Sequence, residues 1–490
     1  MSSFWFRPTL IVLVVLTGCT NGAPTTVATT TTSPTNSIAN LQPYADSTGT
    51  FSTYTTAGSI DETTPFFQSL GTNGRSCSTC HQASQGMSFT PVAATALFAS
   101  SHGTDPLFAA VDGANYPTAP TGDAASHSLI LNNGLIRVAE TLPAGTQFTI
   151  SAVSDPYGTA ISIDPATGRQ TISVYRRVLP SSSLPYVSAV MWDMRETIDP
   201  LTSASTLSAN LNADLTQQLL DAASIHAQGT ATPTAAEQAS ILALEQGLFT
   251  AQATDSAAGS LSANGATGGA TSLAGQNYYP GINDAFGGDL TGKPFNPNVF
   301  TLFTAWNNSN NAQQASISRG ENIFNTAPMQ ITNVRGINDN TALGSPQALA
   351  GSCTTCHDAP NVGHHSVPLP LDTGVTRIAA DETNNGILNG LAQISAPSLP
   401  VFQITGCTGT NGKPVTYVTS DPGKALVTGL CSDVNRVKVP ILRGLAARAP
   451  YFHNGSAASI TQVVNFYNAR FAMGLNQGQK TDLINFLNAL

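Results

Sequence analysis

Apolar residues recur at helical spacing over much of this chain. Leu211, Leu215, Leu219, Ala222 and His226 share one face, which predicts a helix from Leu211 to Gln228. Further helices are expected from Ala235 to about Ala253 and from near Ser318, where Arg319-Gly320-Glu321-Asn322-Ile323-Phe324 opens a new unit. Ile460, Val463, Val464, Tyr467 and Phe471 line one face of a helix over 459–471, and a last helix is expected over 477–490. Between 141 and 178 the period falls to two. Phe148/Ile150, Ile161/Ile163 and Ile172/Val174 alternate with polar residues between Pro, Gly and Asp turns, which predicts a small β-meander inserted into a helical domain. The Gly, Ala and Ser of 256–275 read as a loop. The pattern predicts a mainly α protein.

At 490 residues the chain exceeds what one hydrophobic core serves, so two or three domains are expected. Charged residues are only 10%, and the net charge of −9 argues against nucleic acid or an anionic membrane surface as partner. The N-terminus reads as a targeting signal. Arg7 precedes an apolar run from Leu10 to Leu16, too short to span a bilayer, that ends in Leu16-Thr17-Gly18-Cys19. This run resembles a bacterial lipobox, which implies cleavage before Cys19 and acylation of that cysteine. By the same resemblance, Thr20 in place of Asp implies outer-membrane sorting on the periplasmic side. The alternative is an ordinary signal peptide with an incidental cysteine. Beyond the 1–19 signal, the Thr, Ser, Pro and Ala of 20–58 read as a flexible tether with little to bury. Two domains follow, 59–315, with the β insertion at about 141–178, and 316–490.

Seven cysteines change the picture. Apart from Cys19 they fall in pairs. Cys77-Ser78-Thr79-Cys80-His81 and Cys353-Thr354-Thr355-Cys356-His357 are both C-x-x-C-H, the attachment signature of c-type heme. Two thiols on one helical turn can reach both vinyl groups of a porphyrin, and the following His then lies under the iron as its proximal ligand. A redox dithiol needs no His at the fifth position, and zinc needs four ligands closing on one ion. Neither explains two such pentapeptides far apart. In an oxidising compartment Cys407 and Cys431 most simply form a disulfide, a stabilisation of roughly 3 kcal/mol. A catalytic thiol is the alternative there.

The C-terminal run Lys438-Val439-Pro440-Ile441-Leu442-Arg443-Gly444-Leu445, followed by Ala449-Pro450-Tyr451-Phe452-His453-Asn454-Gly455-Ser456, resembles the bacterial diheme cytochrome c peroxidase and MauG superfamily. Met191-Trp192-Asp193-Met194-Arg195 is similar to that family's element between the two heme motifs. The likeness covers about 60–100, 185–230 and 315–490, not the β insertion or the tether.

The resemblance implies two cytochrome c-like domains with two covalently bound hemes. The first (Cys77, Cys80, His81) would be peroxidatic and the second (Cys353, Cys356, His357) would transfer electrons, with Trp192 as bridge; the alternative is a core tryptophan. Counting along the last-but-one helix gives Tyr467 as sixth ligand of the second heme, with Met473 as its rival. The first heme departs from the peroxidase pattern. His102 is the only His in the region of the usual distal ligand, and no distal Glu follows Trp192 at its usual place. Gln218 and His226, two turns apart on one helix face, are the best substitutes, since His can shuttle a proton during O–O cleavage; a buried core His is the other reading. His365 would pack on a heme edge or lie in an exposed loop, and His453 belongs near the inter-heme region. The family also implies Ca²⁺ bound through the carbonyls of Arg448 and Pro450.

The expected function is reduction of hydrogen peroxide, with electrons from a small cytochrome c or cupredoxin, membrane contact only through the lipid, and a homodimer allowed by the resemblance. The rivals are MauG-like oxidation of a protein or organic substrate, an oxygenase acting on a polymer or lipid, and a non-enzymatic electron carrier.

Overall fold

A length of chain expected to be a tether and the end of an expected helix turn out to build one sheet. In the computed structural model, which describes residues 36–198, 204–376, 398–409 and 412–490, the strand Gly49–Thr55 pairs antiparallel with Leu248–Asp255, Thr53 opposite Thr250. With Tyr44–Ala45 and Gly259–Ser260 at its edges this makes a four-stranded sheet. Thr50 and Thr254 share a hydroxyl hydrogen bond of 2.7 Å, and Thr53 and Thr250 one of 2.8 Å. The threonines that read as a tether are therefore a cross-strand ladder, whose β-branched side chains suit a pleated surface. Tether behaviour over 37–58 is corrected accordingly; the signal, Cys19 and residues 20–35 lie outside the described residues.

The same sheet corrects the expected helix over 235–253. Thr234 caps the helix Ala235–Gln246 in a capping box with Glu237, Gly247 closes it, and the chain then turns into the strand Leu248–Asp255. Helices account for 30% and strands for 19% of the described residues, so the fold is not mainly α but mixed. Ser37–Leu490 form one compact unit.

Around 141–178 the strand Gln170–Arg177 lies between Leu135–Thr141 and Ile161–Ile163, while Thr149–Ser154 joins Val401–Thr408 and Pro414–Thr419. The segment is thus stitched into the C-terminal half of the chain. Ile150, Ile172, Val174, Phe402, Ile404 and Tyr417 form the core between the two sheets. Cys407 and Cys431 are disulfide-bonded at the rim of this layer.

The helix Ala312–Thr326 packs on Gln477–Asn488. Gly320 permits the approach, because a Cβ there would meet the Asp482 carbonyl oxygen at 2.0 Å. Phe300, Phe303, Phe324 and Phe486 fill the interior beneath them. This packing sets the position of the second C-x-x-C-H. The first is set by Phe66, Ala83, Met87, Ile241 and Leu248. The helix Ala204–Asp221 continues as a π turn over Ala222–His226, a local widening that often accompanies functional residues.

Candidate functional site

Each C-x-x-C-H is held by one local device. Ser76 caps the turn Cys77–Cys80 in a capping box with Thr79, and Ser352 does the same for Cys353–Thr355 with Thr355. The His81 and His357 amides donate to the carbonyls of Cys77 and Cys353, each at 3.0 Å. His81 Nδ1 donates to the Met87 carbonyl at 3.1 Å, and His357 Nδ1 to that of Gly363 at 2.6 Å. The carbonyl fixes the tautomer and leaves Nε2 with a lone pair for a metal. Burial holds both imidazoles down at about 4, so the rings are neutral, as a ligand must be.

The four cysteines of these motifs carry free thiols, although the chain forms a disulfide elsewhere. Burial pushes Cys80, Cys353 and Cys356 up to about 12, and Cys77 higher still, with Glu245 adding to the effect. A redox dithiol needs the opposite shift. Both motifs open onto apolar cavities. Cys77, Cys80 and His81 line one, and Cys353, Cys356 and His357 the other. Paired un-ionised thiols, a neutral His with a free Nε2 and apolar walls are a donor set and cradle that fit heme.

The two cavities share a wall. Arg177, Val178, Leu179, Pro180, Trp192, Lys438 and Ile441 border both. Trp192 is 9% exposed and donates through Nε1 to the Arg177 carbonyl at 2.7 Å. Its neighbour Asp193 pairs with Arg176, which also grips Asp421 at 2.7 Å, so a buried ionic clamp fixes the Trp segment to the strand Gln170–Arg177. Lys438, given no role in the sequence beyond opening the C-terminal motif, is held down at about 8 by burial and by Arg448.

The rest of the walls differ. The first cavity carries Gln218, His226 and Arg195 of the Trp192 element, and also Arg75, Asp112 and Glu245, none of which stood out in the sequence. His226 Nδ1 pairs with Asp112, which in turn pairs with Arg75. Burial alone would raise the Asp112 carboxyl, but Arg75 and His226 outweigh it and hold it below its ordinary range. Glu245 is the converse. Burial lifts it to about 7, Ser181 donates to Oε1 at 2.7 Å, and Oε2 has no partner. No spacing rule would have found Asp112; Arg75, two residues before Cys77, was the nearer signal.

The second cavity is lined by Tyr467, Phe471, Met473, Phe452 and His453. Tyr467 lies parallel to Phe471 with ring centroids 5.8 Å apart, and burial raises its hydroxyl well above the ordinary range. Both Tyr467 and Met473 reach this wall. The His453 ring is 6.0 Å from Trp192. His102 ends the helix Pro91–Ser101 with a left-handed backbone and borders neither cavity. His365 is 2% exposed, so the exposed-loop reading is corrected, and it lies 2.8 Å from Asp358. Of the two carbonyls expected to hold Ca²⁺, that of Arg448 already has a partner. The Arg448 carbonyl accepts from the Arg177 guanidinium at 3.3 Å, and that group already meets the carbonyls of Gly134 and Phe89, each at 2.9 Å. A fixed cation thus lies beside the Arg448 carbonyl.

No protein-family model matches the chain. It is 30% identical over 149 residues to cytochrome-c peroxidase IdrP2 of Denitromonas iodatirespirans, a match covering 29% of this chain and 36% of that protein. It is also 30% identical over 93 residues to cytochrome-c peroxidase IdrP1 of the same organism, covering 17% of this chain and 25% of the relative. The match thus spans about a third or less of the curated relatives' length. A crystal structure of a MauG-like protein associated with microbial copper homeostasis aligns at 14% identity with a TM-score of 0.25, over 68% of this chain and 79% of that one. That overlay is too loose to bear on the fold. Over these stretches the chain is similar to proteins named cytochrome-c peroxidases.

Proposed function

We propose that this chain is a diheme c-type cytochrome that reduces hydrogen peroxide in the cavity of Cys77, Cys80 and His81, with electrons entering by the cavity of Cys353, Cys356 and His357. The observation that carries the reading is the common wall: Trp192 borders both cavities, so electrons leaving one reach the other across a single buried indole. Bound heme would supply redox iron at which H₂O₂ accepts two electrons and two protons to give two waters.

The protein's own part is proton handling and positioning. Asp112 accepts from His226 Nδ1, so proton exchange with a substrate falls to Nε2. The ionised carboxylate, held by Arg75, stabilises the imidazolium formed when Nε2 takes a proton from one peroxide oxygen, before passing it to the other. Gln218, on the same wall, offers an amide to orient the oxygens. The apolar remainder excludes water that would compete for this proton.

Tyr467 in the second wall favours a second reading, MauG-like oxidation of a protein or organic substrate, because a phenolate ligand stabilises oxidised iron. The reading also places the protein on the periplasmic side, anchored by acylated Cys19. A small cytochrome c or cupredoxin would be its donor, and the molecule would act as monomer or homodimer. The Cys407–Cys431 disulfide supports an oxidising compartment. The test is steady-state peroxide consumption by the holoprotein with a reduced small cytochrome c. Two donors oxidised per peroxide are expected; donor oxidation without peroxide consumption would leave an electron carrier.

A further inference from the structure

Outside both cavities, three buried side chains converge behind the second C-x-x-C-H. Asp284, Asp358 and His365 are 2%, 0% and 2% exposed, and a nitrogen or oxygen of each lies within 4.8 Å of the others. Asp284 and Asp358 are anchored by main-chain amides. Asp284 Oδ2 accepts from Gly288 at 2.6 Å and Phe286 at 3.0 Å, while Asp358 Oδ1 accepts from Ser366 at 2.6 Å. Of the atoms that face inward, Asp358 Oδ2 accepts only a long bond from the Ala285 amide at 3.3 Å, and the others are left over. Asp284 Oδ1 has no hydrogen-bond partner, and neither ring nitrogen of His365 has one.

His365 Nδ1 lies 2.8 Å from Asp358 Oδ2 and 3.7 Å from Asp284 Oδ1. The shorter distance is that of a hydrogen bond, but the oxygen is displaced from the direction in which the ring N–H points. Two ligands of one ion show this offset, because each aims at the metal and not at the other. Bonds of about 2.0–2.2 Å to zinc set donors roughly 3.3 Å apart in a tetrahedron, and the observed separations bracket that value.

Charge argues the same way. Two carboxyl groups and an imidazole buried together need a positive partner once the carboxyls ionise, and a divalent cation supplies it with the ring neutral. One nitrogen and two oxygen donors select a transition metal of the zinc class over calcium, which takes oxygen alone. We propose that Asp284, Asp358 and His365 bind one divalent transition-metal ion. The ion pins the loop around Asp284 to the loop that runs from His357 to Ser366, joined already where Gly281 donates to the Ser366 carbonyl at 2.7 Å. Because His357 Nδ1 donates to Gly363 in that loop, the ion would hold the proximal His of the second motif from behind.

The test starts from diheme holoprotein treated with chelator and titrated with Zn²⁺, with metal counted by mass spectrometry. One equivalent per chain is expected, either resident and resistant to the chelator or restored by titration. Asp284→Asn and His365→Gln should each weaken uptake by ~10-fold or more while both hemes remain. Zinc-edge X-ray absorption on the wild type needs no variant, and should show a nitrogen and oxygen shell with one imidazole. No zinc in either state, uptake unchanged in both variants, or a sulfur or multi-imidazole shell would each overturn the site. The first of these would leave the trio as an imidazolium held by two carboxylates.

Discussion

The two C-x-x-C-H cradles are built alike and walled differently. Each has a Ser–Thr capping box, a buried neutral His whose Nδ1 is tied to a carbonyl, and a pair of un-ionised thiols. Opposite these, the first cavity carries ionisable groups: Arg75, Asp112, His226 and Glu245. The second carries Tyr467, Phe471 and Met473, with its ionisable groups, His453 and Arg448 among them, gathered toward the shared wall. A shared cradle fixes what can be attached; the facing wall decides what it does. Moving protons requires titratable groups held at a set distance, whereas moving electrons requires only a rigid, dry enclosure.

The comparison breaks most directly at the ionisable wall. His226→Ala should slow peroxide consumption by ~10²–10⁴-fold, the usual contribution of a positioned acid–base group, with both hemes retained. Steady-state kinetics check this, and an unchanged rate would remove the chemical distinction between the walls.

Glu245 should reveal the polar wall through stability. Its folded value of about 7 lies above the ordinary 4.5, so the folded state holds a proton that the unfolded state releases between these values. Stability from this group is present below pH 4.5 and lost as pH rises through 7. Glu245→Gln should flatten that loss, on the order of 3 kcal/mol. Denaturant melts at pH 5 and pH 8 measure it.

Trp192→Phe should sharpen the comparison by separating the cavities. Donor-driven turnover should fall about tenfold, near 1.4 kcal/mol in the barrier, while a single reaction with peroxide at the first cavity keeps its rate. The smallest effect on rate is expected from Tyr467→Phe, which should leave the peroxide reaction within about twofold while changing the absorption spectrum of the second heme. If Met473→Leu alone changes that spectrum, the ligand is Met473.

What was legible in the sequence follows the same division. Covalent attachment needs contiguous residues, so Cys77–His81 and Cys353–His357 stand out by spacing alone. The ionisable wall is assembled across the chain: Asp112 and His226 are 114 residues apart, and nothing local to Asp112 announces its role. The sheet was hidden for a related reason. Gly49–Thr55 and Leu248–Asp255 are weak strands singly, and only their pairing about two hundred residues apart buries them. Around the expected Ca²⁺ site the motif likewise shows the carbonyl of Arg448 but not the distant Arg177 that donates to it.

The division of labour is tested most directly by rapid mixing of holoprotein with hydrogen peroxide, in the fully oxidised and the one-electron-reduced forms, following Soret absorption in the wild type, His226→Ala and Tyr467→Phe. A response in the wild type that His226→Ala slows ~10²-fold and Tyr467→Phe leaves alone is the predicted result. A response slowed by Tyr467→Phe and indifferent to His226→Ala would contradict it, and place the chemistry in the other cavity.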